Sequence, residues 1–193
     1  MIKMFHDPQA PEQPDQYEPE YTRMLEIYAA LKPRRVLEIG VRHGGTLYQW
    51  MKHAPPGCEI AAVDLPDTVW GNASFRTSFA PDTWQEWADR LGVKLTAIRG
   101  DSHNPAVIAQ ANALGPFDFV FIDGDHSYNG VKQDFEEYAS GGVIALHDIY
   151  PDSTDNTIKV FDFWAEIKGC YKTMELSSED DQDGRGIGVV WYA

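Results

Sequence analysis

The stretch Val36-Leu-Glu-Ile-Gly-Val-Arg-His-Gly-Gly-Thr46 constrains this chain more than any other segment, because an apolar run there carries an acid and then meets glycines. Val36, Leu37 and Ile39 favour a short buried strand. Gly40, Gly44 and Gly45 permit a tight turn and the close approach of a ligand to the backbone before a helix begins at Thr46. Such a unit reads as a nucleotide-cradling loop. Its spacing narrows the ligand: a dinucleotide fingerprint, G-x-G-x-x-G, needs glycine two residues after Gly40, where Arg42 stands. The pattern that remains is acid-x-Gly-x-x-x-Gly, built from Glu38, Gly40 and Gly44. A ligand that lacks phosphates but carries an amino group and a sulfonium suits that acid, which favours S-adenosylmethionine over NAD.

The rest of the chain shows strands alternating with helices. A helical stretch at Tyr21 to Leu31 ends at Lys32-Pro33 and is followed by strands expected at Arg35 to Ile39, Ile60 to Asp64, Lys94 to Arg99, Phe117 to Asp123 and Val143 to His147. Helices are expected between them at Thr46 to Lys52, Asp82 to Leu91, Pro105 to Ala113 and Tyr128 to Tyr138. This rhythm predicts a doubly wound α/β fold, Rossmann-like, with a mostly parallel sheet covered on both faces. After a helix at Asn156 to Lys168 the rhythm breaks. Strands at Tyr171 to Leu176 and Ile187 to Tyr192 are joined by a polar loop without a helix, so they should close a seven-stranded sheet as an antiparallel hairpin.

Composition excludes several functions. A formal net charge of −14 argues against a nucleic-acid partner, which needs a basic footprint, and favours a small-molecule acceptor. No apolar run approaches the length of a membrane span and no leader pattern opens the chain, so a cytoplasmic protein is expected. Cys58 and Cys170 form no C-x-x-C pair and are expected as free thiols. Residues 1–20, rich in Pro, Gln, Asp and Glu, read as an arm or lid before a single domain over 21–193. Whether the chain forms a homo-oligomer is left open by its sequence.

From Val36 to the C-terminus the chain resembles the class I S-adenosylmethionine-dependent methyltransferases, whose seven-stranded sheet ends in such a hairpin. By that resemblance Glu38, Gly40 and Gly44 hold the methionine part of the cofactor. Asp64, closing Ala61-Ala-Val-Asp, accepts hydrogen bonds from both ribose hydroxyls. Asp101 and Ser102, in Arg99-Gly-Asp-Ser, contact the adenine edge. Each also has an ordinary use: Asp64 beside Pro66 and the Gly-Asp-Ser turn are good turn and capping chemistry.

Phe117-Asp-Phe-Val-Phe-Ile-Asp-Gly-Asp-His-Ser-Tyr128 delivers Asp123, Asp125 and His126 to the carboxyl edge of the sheet, where open α/β sheets bind ligands. Gly142-Val-Ile-Ala-Leu-His-Asp148 delivers His147 and Asp148 to the same edge. Apolar strands that end in ionisable groups are hard to explain by packing. The Ile122-Asp-Gly-Asp-His-Ser-Tyr segment is similar to small-molecule O-methyltransferases acting on sugars and natural products, and the Asp/Asn-Pro-Pro-Tyr/Phe of N6-adenine and N4-cytosine DNA methyltransferases is absent. The resemblance implies a divalent cation, Mg²⁺ or Mn²⁺, on Asp123, His147 and Asp148. It implies His126 as the base, with Asp123 both catalytic and in contact with the cofactor. His147 departs from the family's acidic or amide pattern, which leaves the metal open.

Two other classes compete with an O-methyltransferase. An NAD-dependent sugar-modifying oxidoreductase is disfavoured by Arg42 and by the absence of a Tyr-x-x-x-Lys pair. A binding protein on the same fold would keep the elements and lose the chemistry. Acceptor specificity is assigned to the N-terminal arm and to Leu65 to Pro81, where Trp70 could line a sugar or adenine face.

Overall fold

The computed structural model describes residues 3–66, 79–151, 155–177 and 185–192. Trp70 and Phe75 lie outside them, as does most of the polar loop before the last strand. The elements run α1 (Glu18–Leu31), β1 (Arg35–Ile39), α2 (Gly45–His53), β2 (Glu59–Asp64), α3 (Pro81–Leu91), β3 (Lys94–Arg99) and α4 (Pro105–Asn112). They continue with β4 (Phe119–Ile122), α5 (Tyr128–Tyr138), β5 (Gly142–His147), α6 (Val160–Ile167), β6 (Lys172–Leu176) and β7 (Ile187–Tyr192). The seven strands form one sheet in the order β3-β2-β1-β4-β5-β7-β6. β1 to β5 are parallel, and β7 pairs antiparallel with both β5 and β6, as the helix-free connection requires.

Local chemistry sets the ends of these elements. Pro stands in the first turn of α1, α3 and α4, where its missing N–H costs nothing. The Asn104 side chain accepts from Ala106 N at 2.9 Å to cap α4, and Ser127 Oγ accepts from Gly130 N at 3.1 Å to cap α5. Two elements are shorter than their apolar patterns predict. The Asp118 carboxylate accepts from the backbone N–H of Arg34 and Arg35, at 2.7 and 3.0 Å, so β4 begins only at Phe119. Lys159 N–H donates to His126 O at 2.7 Å, and the Asp155 side chain holds a turn with Thr157, so α6 begins at Val160 rather than Asn156.

Side chains alternate across the strands and divide the core in two. Val36, Phe119, Phe121, Val143 and Ala145 face α1, α2 and α3, whereas Leu37, Ile39, Val120, Ile122, Ile144 and Leu146 face α4, α5 and α6. The first layer centres on Trp50, whose ring lies 5.0 to 5.6 Å from those of Tyr21, Tyr28, Phe119 and Phe121. Truncating an aromatic so buried costs about 3–5 kcal/mol. Cys58 is buried and Cys170 exposed, both as free thiols. Among the described residues no helix is long and apolar enough to cross a membrane.

Candidate active site

Strand order reverses between β1 and β4, which makes their carboxyl ends the switch point at which open sheets hold ligands. The loops that follow β1, β2, β4 and β5 meet there. Gly40, at φ +83°, lies so close to the next loop that a Cβ on it would sit 2.1 Å from Asp123 O. Only glycine fits this contact. Gly44, at φ +90°, is the N-cap of α2, and a Cβ there would meet Trp84 Nε1 at 2.6 Å. The close approach at Gly44 is therefore to a tryptophan of α3.

Asp123, His126, His147 and Asp148 converge as the sequence predicts. His126 bridges the two carboxylates, with Nε2 3.2 Å from Asp123 Oδ1 and Nδ1 2.9 Å from Asp148 Oδ2. His147 Nδ1 stands 3.3 Å from Asp123 Oδ1 and 3.0 Å from Asp148 Oδ1. Burial pushes both histidines toward the neutral form, but Asp123 and Asp148 outweigh it, taking His126 up to about 10 and His147 well above the ordinary imidazole value. Burial likewise raises the two aspartates, and the histidines outweigh it to hold both below the usual carboxylate range. The two carboxylates thus favour the protonated imidazole at His126.

A cation fits this cluster. One ligand atom each from Asp123, His147 and Asp148 lie within 4.8 Å of one another. Both ring nitrogens of His147 are buried and lack an aligned hydrogen-bond partner, although two carboxylates are near. A buried imidazole without an aligned partner beside two carboxylates is a donor set that a metal would satisfy. Asp148 is held at φ +61°, an uncommon left-handed conformation for a residue other than glycine, which aims its carboxylate back at the cluster.

The residues expected at the cofactor are more dispersed. The buried Asp64 accepts backbone N–H bonds from Val41 and Arg42 at Oδ2, 3.2 and 2.6 Å, and from Leu65 at Oδ1, 2.7 Å. Burial raises its pKa against these bonds. Three of about four acceptor positions are used, leaving one on Oδ1. Glu38 shares the face of Val36, is fully buried, and accepts from the Thr46 hydroxyl at the start of α2. Burial pushes its pKa well above the ordinary value, against the hydrogen bond from Thr46. Asp101 and Ser102 sit in the exposed loop after β3, with the Asp101 side chain 59% exposed.

The arm supplies residues that sequence reasoning missed. Gln16, almost wholly buried, donates from Nε2 to Asp123 Oδ2 at 3.4 Å and leaves Oε1 buried without a partner. Asp15 pairs with Arg42 at 2.9 Å, and Arg185, just before β7, donates to Asp15 O at 2.6 Å with its guanidinium 4.7 Å from the Tyr17 ring centre. Asp7 anchors the other end on α2 through Gln49 and Lys52, at 2.9 and 2.7 Å. No local pattern marks these contacts. A separate cavity of about 750 Å³ lies at the opposite edge of the sheet, between Lys32, Arg35, Pro55, Glu59 and Lys94. It is far from this chemistry.

The model of a methyltransferase domain family matches residues 37–149, from β1 through the β5 loop that carries Asp148. The chain belongs to this family. A curated relative of this methyltransferase-family chain, the uncharacterized protein y4gI of Sinorhizobium fredii, is 27% identical over 182 residues, covering 84% of the chain. The chain spans only 18% of that protein's length. Among solved structures, the O-methyltransferase TomG of Streptomyces achromogenes, in complex with S-adenosylmethionine, matches with a TM-score of 0.63 and 16% identity, over 91% of this chain and 80% of that one. MycE, from the mycinamycin biosynthetic pathway and bound to Mg, S-adenosylhomocysteine and mycinamycin VI, matches with a TM-score of 0.56 and 22% identity, over 91% of this chain and 48% of that one. These likenesses establish the class I methyltransferase fold.

Proposed function

We propose that this chain transfers the methyl group of S-adenosylmethionine to a hydroxyl of a small molecule, a sugar or related natural product, with a divalent cation held by Asp123, His147 and Asp148. The observation that carries the reading is the convergence of those three residues and His126 beside the β1–β4 switch point. In the reaction the acceptor oxygen forms a bond to the methyl carbon, the carbon–sulfur bond breaks, and its electron pair neutralises the sulfonium. An alcohol is a poor nucleophile until its proton affinity is lowered, which is what a Mg²⁺ or Mn²⁺ ion supplies when bound. With a cation held by Asp123 and Asp148, those carboxylates would share their charge with it and hold the His126 proton less tightly. His126 is the residue placed to take the acceptor's proton. The mixed oxygen and nitrogen donors also suit Fe²⁺ or Zn²⁺. The Mg-containing complex of MycE supports the reading by analogy.

The donor assignment is tested by thermal unfolding. S-adenosylhomocysteine at about 100 times its Kd should stabilise the protein by about 2.7 kcal/mol, which raises Tm by about 5 to 10 °C for a domain of this size. NAD should not, and Asp64→Ala should remove most of the shift. Stabilisation by NAD with none by S-adenosylhomocysteine would overturn the assignment.

In this reading the arm is a lid over the donor. A Cβ at Gly45 would meet Gln13 O at 2.4 Å, so the arm covers the start of α2. Arg185→Ala should open it and speed proteolytic cleavage within residues 3–17 severalfold, while the rest of the chain stays intact. Unchanged cleavage would make the arm a fixed part of the domain.

A further inference from the structure

His103, in the loop after β3, stands between two carboxylates. Its Nε2 lies 3.2 Å from Oδ1 of Asp134, a fully buried α5 residue, and donates to Gly130 O at 3.2 Å. Its Nδ1 lies 3.6 Å from Asp101 Oδ1, the same oxygen that accepts the His103 backbone N–H at 2.9 Å. One carboxylate oxygen of Asp101 is thereby fixed, and the side chain is largely exposed.

α5 grips the same loop at two further points. Tyr138 donates its hydroxyl to Ser102 O at 2.6 Å, and Gln133 Nε2 donates to His103 O at 3.4 Å. The other end of this arrangement reaches the catalytic loop. A Cβ at Gly124, between Asp123 and Asp125, would stand 3.4 Å from Asp134 Oδ2, so the buried carboxylate lies directly behind that turn. Gly130, whose carbonyl His103 engages, packs against Asp125 so tightly that a Cβ would meet its Cγ at 2.2 Å.

We infer that His103 is a positioning residue: by bridging Asp101 to Asp134 and Gly130, it holds the loop that meets the donor's adenine at a fixed spacing from the loop that carries Asp123 and His126. The inference rests on the methyl-donor reading above. The Asp134 carboxyl beside it takes the imidazole up to about 9 despite partial burial, while burial raises the Asp134 carboxyl in turn. The aligned hydrogen bond of Nε2 is to Gly130 O, and Asp134 acts on the ring by its proximity at 3.2 Å.

Calorimetric titration with S-adenosylhomocysteine and, separately, with adenosine tests this. The two hypotheses fail differently: if the wild-type protein binds neither ligand, the donor reading falls. If it binds them, His103→Ala should weaken both by about tenfold, ~1.4 kcal/mol, because the defect is at the adenine end. His103→Gln, which keeps a donor toward Gly130 but loses the charge facing Asp134, should recover only part of the affinity. Should His103→Ala fail to fold, Asp134→Asn preserves volume while removing the charge and should show the same parallel loss. A lowered Tm with both affinities unchanged, or a loss confined to S-adenosylhomocysteine, would overturn the inference.

Discussion

Asp148→Asn should lower affinity for Mn²⁺ by more than about a hundredfold while the protein stays folded. Loss of an outer-shell partner alone costs about 10- to 100-fold in metal affinity, and Asp148 is proposed to be a ligand itself. Asparagine is the informative replacement because Asp148 occupies the left-handed region, at φ +61°. Asn tolerates that backbone, whereas alanine adds strain of about 1–2 kcal/mol that would blur the result. Titration of Mn²⁺ followed by calorimetry measures the effect directly. Turnover on an acceptor should cease with chelator and return with Mg²⁺ or Mn²⁺ in the wild type, and Asp148→Asn should lose that response. Undiminished turnover after exhaustive chelation would leave Asp123, His147 and Asp148 as a metal-free ionic cluster.

His126→Ala should lower kcat by about 10²- to 10⁴-fold, the usual contribution of a general base. Donor affinity should change little, because His126 touches Asp123 and Asp148 rather than the loops at Gly40 and Asp64. The comparison must be made where methyl transfer limits the rate. The structure sharpens what the variant reports. His126 bridges two carboxylates that hold its imidazole up to about 10, so its removal also leaves these facing each other. Added Mn²⁺ should therefore raise the Tm of His126→Ala more than that of the wild type. A near-wild-type kcat would assign proton removal elsewhere and leave His126 as a structural bridge.

Much of the fold is legible in single residues. The parity of β1 separates Val36 and Glu38 from Leu37 and Ile39, which is why Glu38 lies among Tyr21, Trp50 and Thr46. What parity cannot express is how deep that interior is. Complete burial pushes the Glu38 carboxyl well above its ordinary pKa, which no residue pattern states. Gly44 shows the same division. Its left-handed turn is readable from the run of glycines, but the tryptophans that forbid a side chain there arrive from α3, about forty residues later. The order of the last strands is also physical: β7, Ile-Gly-Val-Val-Trp-Tyr, is apolar enough for a central place, while Lys172 and Glu175 fit β6 to the edge.

The sequence by itself determined the alternation of elements, the antiparallel close, and the delivery of Asp123, His126, His147 and Asp148 to one edge of the sheet. Those features follow from periodicity, turn chemistry and strand ends, all of which act over a few residues. Tertiary structure alone decided the flanking of His126 by two carboxylates, the contact of His103 with Asp134, and the packing of the N-terminal residues against α2 and Asp123. Gln16 reaches Asp123 across 107 positions and Arg185 reaches Asp15 across 170. Such contacts have no local pattern because they exist only once both faces of the sheet are packed, when burial removes water and lets nearby charges set each other's protonation.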